Sequence, residues 1–317
     1  MVKIRRKVIQ IANSTQLISL PRKWAQKYSI KKGDELNIRD EGNKLLIEAE
    51  EEETSLSTIE VNVDGLDKDS LIFLLRGLYI RGYNQIKFTY SNPYIFYHRL
   101  NKKVTINSII HKEVGICQGL DIIQERGNFI IMKNISISSI KEFDTILRRI
   151  FLLLIDTMND LYIATKNEDY VLLEGFQDKH DNITRLINYN LKTLNNIGYS
   201  KHNDTIILFN ILSSLDTVID ILKHAARDIV ELKIKLGPKA VNILKKVLES
   251  IKLHYDLFYN FSFEKTENFI ELRNEVIDSI KKQSKKLSND DVRILVMVEH
   301  ILEVLRNTYS SKMAMQY

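Results

Sequence analysis

The chain has 317 residues, 44% hydrophobic and 27% charged, with three prolines and a formal charge of +5. That length exceeds one ordinary core and points to two or three domains, and the balanced composition excludes a low-complexity chain. The single cysteine, Cys117, excludes an intramolecular disulfide and a cysteine-based zinc finger. The charge is unevenly spread: residues 1–32 hold nine of the 46 Lys and Arg residues and none of the 41 acids, so the remainder is net acidic. Such an end suits a polyanion, because Lys and Arg that neutralise phosphates release condensed counterions. A solubilising surface patch is the alternative. The longest wholly apolar run, Ile150–Ile155, is far short of the ~20 residues of a membrane helix. No apolar stretch follows the basic start, so neither membrane insertion nor a signal peptide is expected, and a cytoplasmic location follows.

In chain order, the first 50 residues read as short strands and turns. Val8, Ile9 and Ile11 form a β-branched strand, Asn13-Ser14-Thr15-Gln16 a polar turn, and Leu17–Leu20 a second strand. Pro21 suits the first turn of a short helix carrying Trp24 and Ala25, where its missing N–H costs nothing. Trp24, amid Leu20, Ala25 and Ile30, reads as core, and Asp34 after Gly33 as a turn residue. Leu36, Ile38, Leu45 and Ile47 alternate as strands around a turn at Glu41-Gly42-Asn43. The acidic run Glu48–Glu53 marks a boundary, giving a first domain over 1–52.

Residues 56–135 alternate strand and helix. Ile59, Val61 and Val63 make a strand, Asp67–Arg81 a helix stopped by Gly82, and Ile86, Phe88 and Tyr90 another strand. After a break at Asn92-Pro93 the pattern predicts a second helix over Tyr97–His111. Ile116, Leu120, Ile122 and Ile123 precede a turn at Gly127-Asn128, and Phe129–Met132 form a last strand. Two β–α–β units of this size predict a ferredoxin-like α+β domain. From 136 to 317 glycine and proline almost vanish, and the apolar period predicts helices near 138–165, 170–196, 203–235, 239–260, 263–286 and 290–314. Gly237 as a stop and Pro238 as a start divide them three and three, predicting an all-α domain of two three-helix bundles around one apolar seam.

The run from Val8 to Ala25, with Leu20-Pro21-Arg22-Lys23-Trp24, together with Ile30-Lys31-Lys32-Gly33-Asp34-Glu35-Leu36, resembles the AbrB/SpoVT/MazE family. The Leu20–Trp24 version resembles archaeal AbrB-domain proteins fused to a PhoU-like domain. Ala12-Asn13 stands where that family commonly has a glycine. The resemblance implies a swapped-hairpin β-barrel built by two chains, hence a homodimer, and binding to double-stranded DNA. Carried over position by position, it implies that Lys3, Arg5, Arg6, Lys7, Asn13, Ser14 and Thr15 face the duplex, while Arg22 and Lys23 grip phosphates nearby.

On the helices, acids recur four apart: Asp156 and Asp160, Glu174 and Asp178 with Asp181 beyond, Asp216 and Asp220, then Glu271 and Glu275 with Asp278, and Glu299 and Glu303. Residues four apart share a helix face, and oxygen-rich clusters suit hard or intermediate cations. This half resembles PhoU, a family of two three-helix repeats with E(D)xxxD metal-binding motifs, and His224–Ile229 is similar to one of its stretches. The resemblance implies a divalent or ferric ion on Asp156, Asp160, Glu174, Asp178, Asp216 and Asp220. The alternative is that these pairs are ordinary solvated faces. No phosphate-cradling glycine loop and no HExxH occurs, and Cys117 has no catalytic setting, so an enzyme is not expected. The expected protein is a dimeric DNA-binding transcriptional regulator of phosphate uptake, sensing phosphate status through a metal or a partner such as a phosphate transporter's ATPase. Two alternatives stand beside it: a non-specific, chromatin-like architectural DNA-binding protein, and a protein-binding adaptor of a phosphate transporter without DNA binding.

Overall fold

A computed structural model describes residues 4–11, 15–40, 45–48, 58–136, 139–199, 201, 204–283 and 286–316. It divides into two compact units, Met1–Ser57 and Thr58–Tyr317. In the first, β1 (Val8–Ile11) pairs antiparallel with β2 (Thr15–Ile18), setting Val8 opposite Ile18 and Ile9 opposite Leu17. Thr15 and Gln16, expected in the turn, begin β2 instead. Helix α1 (Arg22–Lys27) follows, with Pro21 at its N-cap. A second antiparallel hairpin joins β3 (Asn37–Asp40) to β4 (Leu45–Glu48). The two hairpins are separate two-stranded sheets, so no barrel closes among the described residues of one chain. The turns expected at Asn13-Ser14 and Glu41-Gly42-Asn43, and the acidic boundary beyond Glu48, lie outside the described residues.

The second unit opens with β5 (Thr58–Asn62). Asp67 then caps α2 (Lys68–Arg81) by accepting the Ser70 N–H at 2.9 Å. Gly82 ends the helix at φ 88°, a left-handed conformation that a Cβ would penalise. Strand β6 (Gln85–Thr89) lies parallel to β5. The helix expected over Tyr97–His111 is corrected here. Its first half is a hairpin of β7 (Tyr94–Tyr97) and β8 (Lys102–Thr105), joined by one 3₁₀ turn and by Asn101 at φ 47°. β-branched Val104 and Thr105 favour the extended strand, and Thr105 then caps α3 (Ile106–Val114) by accepting the Ser108 N–H.

Strands β9 (Leu120–Arg126) and β10 (Phe129–Asn134) complete a sheet of order β5-β6-β10-β9. In a split βαβ, another strand lies between the two parallel ones. Here β5 and β6 are immediate neighbours, so the ferredoxin-like expectation gives way to a mixed sheet of different topology. Leu71 and Tyr79 of α2 and Ile106 and Ile110 of α3 join Phe88 and Ile130 of the sheet in one core.

The rest is all-α: α4 (Phe143–Asn167), α5 (Tyr170–Glu174), α6 (Phe176–Asn196), α7 (Asp204–Glu231), α8 (Pro238–Tyr259), α9 (Phe263–Gln283) and α10 (Asn289–Gln316). The helix expected over 170–196 is split at Gly175. These helices share one continuous core. One carboxylate ties two helix starts together, because Asp291 accepts the Gly237 N–H at 2.8 Å before α8 and the Ser288 N–H at 2.9 Å before α10. By length and composition α7 qualifies for a membrane span, which counting uninterrupted apolar runs missed. Its buried residues, among them Ile211, Leu215 and Leu222, lie in the shared core. Core and sheet are joined at α6: Lys192, 1% exposed, donates from Nζ to Asn134 Oδ1 at 2.8 Å and lies 4.8 Å from the Tyr79 ring centroid.

His254 of α8 is 2% exposed, stacks on Tyr309 at 5.4 Å and leaves Nδ1 without a partner. Burial pushes its pKa down to about 3, so the folded state resists a proton that the unfolded chain takes up from pH 6.5 downward. The stability held above pH 6.5 should therefore erode by ~1.4 kcal/mol per pH unit as pH falls toward 3. Urea unfolding at pH 7 and 4.5 should show this loss, and His254→Phe should reduce it by about 2–3 kcal/mol. An identical pH dependence in the variant would show that His254 is not held neutral.

Candidate nucleic-acid interface

Arg5, Arg6 and Lys7 lead into β1, Thr15 opens β2, and Arg22 and Lys23 open α1; all six are exposed. No carboxylate of the described residues pairs with any of these cations. Lys3, Asn13 and Ser14 lie outside the described residues. Between α1 and β3 the chain turns at Gly33, φ 99°, where Asp34 accepts the Lys31 N–H at 2.6 Å. Asp34 is thus a turn residue, and the neighbouring Lys31 and Lys32 project exposed.

The apolar residues of this unit are as telling as the charged ones. No residue from 4 to 48 whose burial is described is buried. Val8 is 63% exposed, Ile38 64% and Leu45 66%, and Ile9 and Ile18 are exposed on the other strand positions. A strand normally hides alternate residues on one covered face; here both faces of the hairpins are open. Trp24, expected in a core, is only half-buried, its ring 5.5 Å from that of Tyr28. What the described residues offer is a set of exposed cations on a scaffold whose apolar strand positions are largely exposed.

In the second unit the six candidate metal ligands do not converge. Asp156, Glu174 and Asp178 are exposed on their helices. Asp160 is held by Lys179 Nζ at 2.6 Å. Asp216 and Asp220 do share a face of α7 and meet α6, but they meet hydrogen-bond donors there. Thr184 donates to Asp216 Oδ1 at 3.0 Å, while Asp220 engages Lys223 and lies 3.1 Å from His180 Nε2. Among the described residues, no group of three or more His, Cys, Asp and Glu side chains is placed to hold a metal ion. His224 is exposed on α7.

Instead these residues build a polar relay that sequence reasoning did not single out. His180, 5% exposed, sits between Asp181 Oδ1 at 2.8 Å and Asp220, with Lys223 Nζ 3.1 Å away. Asp181 continues to Gln177 at 2.8 Å and to Lys112 of α3 at 3.6 Å. Arg76 of α2 binds the buried Glu113 of α3 at 2.8 Å. The signal was available as two spacings of four, His180–Thr184 facing Asp216–Asp220, but only the acids had been scored. Burial depresses the His180 imidazolium, yet the bonds to Asp181 and Asp220 outweigh it and leave its pKa above the ordinary 6.5. Asp220 is drawn well below the usual carboxylate range because its bonds to His180 and Lys223 outweigh its burial, whereas burial and the nearby Asp220 raise Asp216.

A raised histidine pKa stabilises the folded state most fully below pH 6.5, and that stabilisation fades as pH rises through the folded value. NMR titration should place the His180 imidazole above 6.5 and should move it down in Asp220→Asn. An imidazole that does not move would remove Asp220 from the relay.

A family model described as "Antidote-toxin recognition MazE, bacterial antitoxin" matches residues 9–55. Comparison with curated proteins and with solved structures gives no match. The matched stretch runs from within β1 to beyond β4, so it holds both hairpins and the basic helix α1 between them. The chain therefore carries an N-terminal domain of MazE/AbrB type.

Proposed function

We propose that this chain is a DNA-binding regulator that acts as a homodimer through its first unit. The observation carrying this reading is the exposure of Val8, Ile9, Ile11, Leu17, Ile18, Ile38 and Leu45 on the described strands of the first unit. A unit as short as Met1–Ser57 is marginal alone, because small domains bury a smaller fraction of their surface on folding. A second copy supplies the missing cover if the two hairpins exchange into one barrel. MazE/AbrB-type domains typically form such dimers and bind DNA. The unpaired Arg5, Arg6, Lys7, Arg22 and Lys23 then double on one assembly and neutralise phosphates of a duplex. Thr15 positions the backbone, and the arginines are the side chains able to read guanine edges.

The regulated process is proposed from resemblance: a PhoU-like helical half that responds to phosphate status, directly or through a transporter partner, and shifts the DNA-binding units. Of the metal sites this resemblance implies, Asp216–Asp220 is the pair whose carboxylates lie together against α6, where an ion would compete with His180 and Lys223. A second reading is favoured by the matched family's description, toxin recognition: the same exposed strands would then bind another protein.

Gel-shift titrations over a salt series distinguish the readings. DNA binding should weaken steeply with salt, and Arg5→Ala/Arg6→Ala should lower affinity at least tenfold while flattening the salt slope by up to ~4 per dimer, two contacts from each chain. Binding that ignores both salt and the substitutions would exclude the duplex interface. Sedimentation should give a dimer, and Ile9→Lys/Ile18→Lys should yield a monomer with no DNA affinity. A stable monomer that binds DNA as tightly as the parent chain would overturn the obligate-dimer reading.

A further inference from the structure

Between α2, the β7–β8 hairpin and α3, within the second unit, lies an open cleft of about 230 Å³. Its walls are apolar: Ile72 comes from α2, Val104 from β8, Ile109 from α3 and Leu100 from the turn between the strands. Leu100 is 52% exposed, although it faces a recess rather than a partner. Three ammonium groups stand around the cleft, on Lys68, Lys102 and Lys112. The carboxylate in its lining, Glu113, is already neutralised by Arg76 at 2.8 Å and is 3% exposed.

The lysines are incompletely satisfied. Lys102 is exposed and pairs with no carboxylate among the described residues. Lys112 reaches Asp181 only at 3.6 Å. Lys68 shares its charge between the neighbouring Asp69 at 3.0 Å and the face of Tyr97, whose ring centroid is 4.3 Å from Nζ. An apolar recess with convergent cations is the pattern of a site for a small ligand with one negative end. The size bounds that ligand: at ~30 Å³ per water the volume equals roughly eight waters, which suits about ten non-hydrogen atoms and excludes a dinucleotide.

We propose that this cleft binds a small organic carboxylate with an aromatic or branched apolar body, and that Lys112 reports its binding to α6. The carboxylate sits among Lys68, Lys102 and Lys112, and the apolar body lies against Val104 and Ile109. A carboxylate that draws Lys112 inward takes it from Asp181, the residue that holds His180 Nδ1 at 2.8 Å. Asp181 then acts on His180 without a competing cation. The cleft is thereby linked to the α6–α7 relay, and the link is independent of what the first unit binds.

The test uses the full-length chain and fluorine NMR of 4-fluorobenzoate, with 4-fluorobenzyl alcohol as its uncharged counterpart and inorganic phosphate as a competitor. The 4-fluorobenzoate resonance should broaden and shift, the alcohol should bind at least tenfold more weakly, and equimolar phosphate should not displace the probe. Lys102→Glu, a surface change that leaves the fold intact, should weaken binding at least tenfold, and Val104→Trp should abolish it by filling the recess. Asp181→Asn, which removes the partner of Lys112 on α6, should tighten 4-fluorobenzoate binding several-fold. No binding at millimolar probe, or binding indifferent to Lys102→Glu and Val104→Trp, overturns the site. Equal binding of the alcohol, or displacement by equimolar phosphate, overturns the ligand class. Binding unchanged in Asp181→Asn overturns the role of Lys112.

Discussion

Packing around α7 organises the larger unit. This helix contributes Leu208, Ile211, Leu215, Val218 and Leu222 to the shared core and lies antiparallel to α10, with Asp228 bonded to Arg293 near one end and Asn210 to Ser311 near the other. Its flank toward α6 carries the polar residues that the core cannot absorb, Asp216, Asp220 and Lys223. Buried charge is expensive unless paired and hydrogen-bonded. The chain meets that cost by placing His180 and Thr184 opposite them, so one helix serves both the apolar core and the polar relay. Arg99 of the hairpin turn also reaches α7, at Glu231, 2.7 Å away. The sheet and the helices are thus held as one unit by charged contacts as well as by Ile80, which touches both cores.

Much of this was legible because helix periodicity survives over long segments. Five of the six expected helices appear with boundaries shifted by a few residues, the one over 170–196 is split at Gly175, and Gly237-Pro238 breaks the chain where expected. The failures share a cause. In the stretch from Tyr94 to Val114, a short strand pair and a short helix lie end to end, and a helical period drawn across Val104 and Thr105 merges them. Strand order is likewise invisible to local pattern: whether β10 inserts beside β6 or beside β5 depends on contacts remote in sequence. Carboxylate spacing was read correctly as shared helix faces, but spacing says nothing of what stands opposite. Lys179, Lys223 and His180 decide the chemistry of Asp160 and Asp220 from other turns and other helices.

The N-terminal unit shows the reverse balance. Its motif from Leu20 to Trp24 and its run of cations were plain in the sequence, and the matched family covers the same stretch. The full exposure of its apolar strands became visible only in three dimensions. Alternation predicts that a face will be covered; it does not say by which chain. Charge on the same segments makes that cover selective. Apolar strands alone would invite indiscriminate edge pairing, and charged flanks such as Arg5, Arg6 and Lys7 oppose it.

On the proposed homodimer, folding of the first unit becomes a second-order event. The second unit buries its own apolar side chains, whereas Val8, Ile9, Ile18, Ile38 and Leu45 would gain cover only where two chains meet. The fraction of chains with a formed N-terminal unit then rises with chain concentration, and the abundance of dimers climbs as the square of the monomer level when dimers are scarce. A dimer formed this way would measure its own dose: halving synthesis would remove well over half of the assembled copies. Exposed β-branched strands on unpaired chains are also open to proteases, which steepens that threshold further.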